Sequence, residues 1–461
     1  MESFWLAAYL ALAVLTLVQA LAVALQTWEH RRYVRSCMRG LGGHRPHGRV
    51  AVFAPCKGID VDLQDNLHAL LQQDYGDYEV TFIVESTDDQ ACPMIRRVMA
   101  DHPSVATRLV VAGKATSTGQ KIHNLRAATA QLAPEVRYLA FIDSDSRARP
   151  DWLRIIVTRL SRHTLGAVTG YRWFVPKRST FVNYLLYSIN SNVMALLGRS
   201  SHHLIWGGSW GIRRDVFESI GLHAAWNGAL TEDLVAGRQL RRAGLRVRFE
   251  PACIVASPVD YSPQEMCSFL RRQYLLGRLY TFDWWLFALA STTLSNLGWL
   301  ANSVALALSL IYGVLPVWVP LSMYAMLYLP SVYRGAVRQS LIRTYFPDQQ
   351  QSLRWARRFD VVAGPIVGLI NWLGVLGSLF GQRVTWRGIS YLVSPTGKVR
   401  AVEHRNTAKA HPTTIGASAM QSKPTAVPAE ITLREPVLVH ATATEDTEPS
   451  AEEHDSFRKA G

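Results

Sequence analysis

Cysteine is scarce, and none of it is paired in sequence. Five residues (Cys37, Cys56, Cys92, Cys253 and Cys267) are spread over 461 positions without a CxxC. That spacing indicates neither a zinc site nor a disulfide framework, and a reducing cytosolic compartment suits it. Acidic residues are also short: Lys+Arg number 49 against 35 Asp+Glu, a formal net charge of +14. Such an excess fits nucleic acid, anionic lipid or an anionic small substrate. The arginines flank apolar runs, which favours anionic lipid headgroups over nucleic acid. A cleavable leader is disfavoured too, because the charges follow the first apolar stretch and no A-x-A-like site comes after it. No internal repeat is evident.

What the chain does have is apolar length, with 49% hydrophobic residues. Residues 4–28 form a nearly unbroken apolar run, long enough to cross a bilayer and followed at once by His30, Arg31, Arg32 and Arg35. It reads as a transmembrane anchor whose basic end is cytoplasmic. Residues 48–262 read as an α/β domain, because short β-rich runs (50–54, 78–85, 108–112 and 138–142) alternate with helical stretches. A mostly parallel open sheet is expected, with its chemistry in the loops beyond the strands' carboxyl ends. Residues 263–283 are expected at the interface, and 284–381 form a membrane region of about three spans. Two of these lie in 284–333, broken near Gly313 and Pro316, and the third lies in 361–380. The basic loop between them (334–360) is placed on the cytoplasmic side. A basic segment (382–400) and a Thr/Ala/Pro/Glu-rich tail (401–461) expected to be disordered complete the chain.

Three acidic clusters carry the chemical signal. The run VAVFAPCKGID ends a strand on Asp60, where a carboxylate can accept hydrogen bonds from a base or ribose; capping the next helix explains it equally well. Asp143 and Asp145 follow an apolar strand two residues apart, a spacing at which two carboxylates reach one divalent ion, Mg²⁺ or Mn²⁺, and its diphosphate partner. The third, Thr231-Glu232-Asp233, offers Asp233 as a general base, although acids in a first helical turn capped by Thr231 are also ordinary structure. Lys121 and Asn124 precede or open a helix where a donor phosphate or base could be held, while His123 reads as structural. The glycine loop between Trp206 and Trp210 could admit an acceptor or be a plain turn. Arg271 and Arg272 could offset charge on a leaving diphosphate or grip headgroups.

Taken together, five ordered segments resemble the ceramide glucosyltransferase-like branch of the family 2 glycosyltransferases, including bacterial members acting on hopanoid or other lipids. They are APCKGID (54–60), DYGDYEVTFIVESTDD (74–89), GQKIHNL (119–125), IDSDSR (142–147) with Pro150 and Asp151, and TED (231–233). The resemblance covers roughly residues 4–400. It implies a GT-A domain, a UDP-sugar donor and a hydroxyl-bearing lipid acceptor. It further implies that Asp60, Asp88 and Asp89 contact the nucleotide, Asp143 and Asp145 serve metal and diphosphate, and Asp233 is the base of a single, inverting displacement. The family's closing arginine falls on Arg272, with Arg271 as the alternative; its Trp is missing here, which exposes the acceptor assignment most. Gln351-Ser352-Leu353-Arg354-Trp355 fits the same signature but lies far beyond Asp233.

The expectation is an integral membrane hexosyltransferase, at the inner membrane if bacterial, moving one sugar onto a ceramide-, hopanoid- or glycerolipid-like hydroxyl at the cytoplasmic face. Two alternatives are a processive polysaccharide synthase and an inactive membrane adaptor. The former needs a polymer channel that one anchor and three spans hardly provide, and the full set of acids argues against the latter.

Overall fold

The computed structural model describes residues 2–39, 46–200 and 203–404. Seven strands, β1 (Arg49–Pro55), β2 (Tyr78–Val84), β3 (Ala106–Val111), β4 (Val136–Ile142), β5 (Leu165–Pro176), β6 (Ser209–Arg213) and β7 (Arg246–Val259), form one sheet in the order β3-β2-β1-β4-β6-β5-β7. The pairings are parallel except those of β6, which runs against both β4 and β5. An α/β domain with a mostly parallel sheet is therefore what the sequence produces. The central strands are apolar on both faces because both are covered. Val50, Val52 and Ala54 of β1 pack toward helices Leu63–Leu70, Ala91–Asp101 and Trp152–Leu160, while Ala51 and Phe53 pack toward Gln120–Thr129 and Glu232–Arg242. Across the second face run Phe53, Phe141 and Trp210, with ring centroids 5.4 and 4.2 Å apart. Such cross-strand stacks fix the relative register of the three strands that end at the site.

The anchor is the first 38-residue helix, Glu2–Arg39. Its apolar side chains stand in the open: Phe4 is 67% exposed, Val14 60% and Leu25 59%. Such a surface is stable only under lipid or a partner. It packs along helix Phe282–Tyr312, where Gln19 Nε2 donates to Ser291 Oγ at 2.7 Å and Tyr9 Oη to Asn302 at 2.9 Å. Gly298 lets the two backbones meet, since a Cβ there would lie 2.5 Å from Thr16 Cγ2.

The three expected C-terminal spans are not shown by the helices of the structure. Among the described residues, only the first helix and Phe282–Tyr312 are long and apolar enough to cross a membrane. Helix Trp318–Gln339 begins where the break near Gly313 was expected, but Pro320, Pro330, three tyrosines and Arg334 dilute its apolar character. The expected last span, 361–380, starts at the end of helix Arg354–Val362 and continues as helix Gly364–Leu376; together the two helices have the length and apolar character of a span, but they are bent by 84°. They meet at Ala363, just before Pro365, whose ring cannot fit a continuous helix.

The chain then returns to the α/β domain. Residues expected to be a basic segment form a second, antiparallel sheet of β8 (Arg383–Trp386), β9 (Ile389–Val393) and β10 (Val399–His404). β10 runs past Ala401, so the first four residues assigned to the tail are a strand; the remainder, 405–461, lies outside the described residues.

Candidate active site

β1 and β4 are parallel neighbours, so the loops after them open side by side. The Ser144 hydroxyl accordingly donates to Asp60 Oδ2 at 2.6 Å, joining the first acidic loop to the second. β6 pairs with β4 through Ser209 opposite Ile142, which brings the glycine loop over Asp143. Glycine is required there for close approach. A Cβ on Gly207 would collide with Glu232 Oε1 and sit 3.1 Å from Asp233 Oδ2, and one on Gly208 would lie 3.2 Å from Asp143 Oδ2. The loop is thus packed closely onto the acids while its glycines line the cavity beside them. The third cluster opens helix Glu232–Arg242. Asp233 accepts from the loop N–H of Gly207 at 2.9 Å and from the free first-turn N–H of Leu234 at 2.7 Å, and the two donors orient the carboxylate.

Two cations bind these acids into one cluster. Lys121 Nζ lies 2.6 Å from Asp143 Oδ1 and is also ion-paired with Glu232. Arg172, from β5, reaches Asp145 Oδ2 at 3.0 Å and Asp143 Oδ2 at 3.6 Å. Burial disfavours the Lys121 ammonium, yet Asp143 and Glu232 more than compensate and hold it protonated. The same burial would raise Asp143, but Lys121 and then Arg172 outweigh it and keep its carboxyl below the usual range. Glu232 is pushed up to about 7 by burial, against the pull of Lys121. Asp233 is raised for the same reason, with Lys121 and its two backbone donors opposing.

The convergence of Asp143 and Asp145 on one guanidinium nitrogen is the observation by which a divalent cation can be judged. Their oxygens face a single positive point and are hard donors, so the pair fits Mg²⁺ or Mn²⁺. Among the described residues no group of three His, Cys, Asp or Glu could hold a metal, so further ligands would come from donor phosphates or water.

One cavity of about 1310 Å³ contains Asp60, Lys121, Asn124, Asp143, Asp145, Asp233 and Arg272. It runs on between the long helices, where Gln19, Trp285, Asn296 and Trp299 line it. Asn124 is buried and accepts from Gln120 Nε2 at 2.8 Å. Arg272 lies over the Phe269 and Trp386 rings at 5.6 and 5.9 Å, with no carboxylate of the described residues in ion-pairing range, and burial pulls it down to about 10. Arg271 points elsewhere, donating to the carbonyls of Phe380 and Arg383. Arg354 and Trp355 stack on each other on a different helix, away from the cavity.

The structure does not bring Asp88 and Asp89 into the cavity. Asp88 is exposed. Asp89 is occupied as a local cap, accepting from Ala91 N–H at 2.9 Å and from Gly58 N–H at 2.8 Å, so its reach is to the loop that carries Asp60. His123 hydrogen-bonds the Ala112 carbonyl, the structural role expected of it. Three residues absent from the sequence reading do enter the site: Arg172, Trp386 and Arg387. The signal for Arg172 was a lone charge in an otherwise apolar strand; for Arg387 it was an Arg-Gly pair between two β-rich runs.

The model of glycosyl transferase family 21 matches residues 11–399. The chain belongs to that family. The expected ceramide glucosyltransferase-like kinship is met. Two curated relatives come from Caenorhabditis elegans. Ceramide glucosyltransferase 3 is 24% identical over 220 residues, 46% of this chain and 47% of the relative, and ceramide glucosyltransferase 1 is 28% identical over 123 residues, 26% of each. The chain therefore spans half or less of the length of these relatives. Among solved structures, a Pyrobaculum calidifontis mannosyltransferase in complex with GDP-Man and Mn²⁺ is 18% identical, with a TM-score of 0.45 over 79% of this chain and 98% of that one.

Proposed function

We propose that this family member transfers one hexose from a UDP-sugar to the hydroxyl of a membrane lipid, with inversion, at the cytoplasmic face. The observation that carries this reading is the single cavity that contains the acids at one end and the flanks of the long apolar helices at the other. A polar donor and a lipid chain would each meet a matching surface there. Asp233, oriented by two backbone amides, takes the proton of the acceptor hydroxyl as that oxygen attacks the anomeric carbon. The bond to the diphosphate breaks on the opposite face of the sugar, which inverts the centre. When bound, a divalent cation at Asp143 and Asp145 supplies positive charge to the departing UDP. Arg272, which has no carboxylate partner among the described residues, faces the same leaving group, and Lys121 fixes Asp143 and Glu232 relative to each other. Asp60 and Asn124 contact the nucleotide.

The anchor's basic end supports the cytoplasmic placement. Arg32 lies 4.7 Å over the Trp28 ring, an aromatic and basic pair suited to the headgroup layer of an anionic leaflet. To test the function, purified protein is incubated with Mn²⁺, a panel of UDP-sugars and a total lipid extract, and the products are read by mass spectrometry. A lipid heavier by one hexose is expected. Sugar polymers, or no glycolipid with any donor, would overturn the proposal.

A further inference from the structure

β8 and β9 are joined by two residues only, Arg387 and Gly388, with Trp386 paired to Ile389. Both linking residues have positive φ, 45° for Arg387 and 77° for Gly388, the geometry of a mirror-image hairpin turn. Asn, Asp or Gly normally stands at the first of these positions, because an ordinary side chain is strained there. Among the described residues Arg387 and Asp62 are the only non-glycines with positive φ, and Asp62 lies two residues beyond Asp60 in the facing loop. A strained residue persists where its surroundings hold it and its side chain is used.

The Arg387 side chain is used at the site. Its guanidinium is ion-paired with Asp60, donates to the Lys57 carbonyl, and lies 5.3 Å over the ring of Trp386. That ring is the one that also meets Arg272. The hairpin is held in place from behind. The backbone N–H of Gln120 donates to the Tyr391 hydroxyl at 3.2 Å, Val399 N–H donates to the Gly228 carbonyl at 2.8 Å, and Tyr280 Oη donates to the Gly397 carbonyl. Gly228 lies just before the 231–233 acids and Gln120 just before Lys121, so the small sheet is fastened to the segments that carry the candidate machinery. Arg172, Arg272 and Arg387 thus approach one crevice from three elements distant in sequence. Among the described residues, Arg172 and Arg387 have carboxylate partners and Arg272 has none.

Resting on the donor assignment above, we propose that the β8–β9 hairpin is a clamp on the donor's diphosphate, with Arg387 its gripping residue. Before donor arrives, Asp60 holds the guanidinium. The nucleoside takes over Asp60, and Arg387 turns to the phosphate oxygens, where a planar guanidinium can donate in bidentate fashion. Trp386 keeps it beside Arg272 throughout. The clamp recognises the phosphates and leaves the nucleoside to Asp60.

The turn geometry supplies a variant that separates structure from binding. Asn is at ease at positive φ, which offsets part of the stability lost with the Asp60 ion pair, so Arg387→Asn should still fold, read as an unchanged circular dichroism spectrum and a cooperative thermal transition. Binding of UDP and of uridine is measured by calorimetry in Mn²⁺ for both proteins. UDP should weaken by about tenfold or more, while uridine stays within roughly twofold, as expected when a charge-assisted contact to phosphate alone is lost. Arg387→Gly, equally free at this φ, repeats the measurement should the Asn variant not accumulate. A folded variant that binds UDP as tightly as the unmodified protein overturns the clamp and leaves the donor reading intact. An unmodified protein that binds no UDP overturns both.

Discussion

The two sheets of this molecule reach the same crevice by different routes. The seven-stranded sheet presents carboxylates at the ends of adjacent strands and at one helix start, each in a short local run: Asp60, Asp143, Asp145, then Glu232 and Asp233. The three-stranded sheet presents a cation, Arg387, from more than three hundred residues beyond Asp60, after the chain has passed through its apolar helices. Acids therefore come from the topology of the sheet, and part of the positive charge comes from a distant element docked upon it. Opposite charges delivered by separate elements can exchange partners when a ligand arrives, which a single rigid loop could not do.

Substitutions on the large sheet should have the larger effects. Asp143→Asn removes the carboxylate shared by Lys121 and Arg172, and kcat/KM should fall by about 10³-fold with the fold retained. A loss below tenfold in a transfer assay would place the chemistry elsewhere. Gly207→Ala introduces a Cβ that collides with Glu232 and crowds Lys121, so kcat/KM should drop roughly 10²-fold through displaced acids, with only a modest change in thermal midpoint. An active Gly207→Ala enzyme would show that the loop is free to move away.

The pH profile probes the same cluster. Glu232, raised to about 7 by burial, is ionised above that pH and neutral below it. As pH falls through about 7, Lys121 loses one of the two carboxylates that position it, and kcat/KM should fall with it. In Glu232→Gln the acid limb should move to lower pH, toward that of Asp233; an unmoved midpoint would remove Glu232 from this role.

On the small sheet the smallest effect is expected from Tyr391→Phe. It strands the buried N–H of Gln120 and should cost about 1–2 kcal/mol of stability, read as a lower denaturation midpoint. No change would mean that the small sheet is appended to the domain and not integral to it.

How much of this was legible in the sequence follows the same division. Apolar strands ending in Asp60 and Asp143 were readable because the signal is local: a β-rich run, then an acid. The glycine loop and the helix opening at Glu232 were visible for the same reason. Arg172 was hidden because a charge within an apolar strand declares no direction, and Arg387 because docking of 383–404 is a tertiary event. The same net charge that marked 382–400 as basic gave no hint that one of its arginines enters the cavity. Asp88 and Asp89 show the converse, a motif position whose local geometry spends Asp89 on backbone amides and leaves Asp88 exposed. The span count exceeds what the helices show for two reasons: tyrosines and prolines within Trp318–Gln339 lower its apolar character without breaking the helix, and the last apolar stretch is bent by 84° between two helices.

The account depends most on Asp233 acting in a cavity shared with lipid. The direct measurement is glycolipid formation by purified Asp233→Asn protein beside the unmodified chain, at equal amounts and with the anomeric configuration of the product determined by NMR. The account predicts a singly glycosylated lipid of inverted configuration from the unmodified chain and at most a trace from the variant. Comparable product from the variant, or retention at the anomeric carbon, would contradict it.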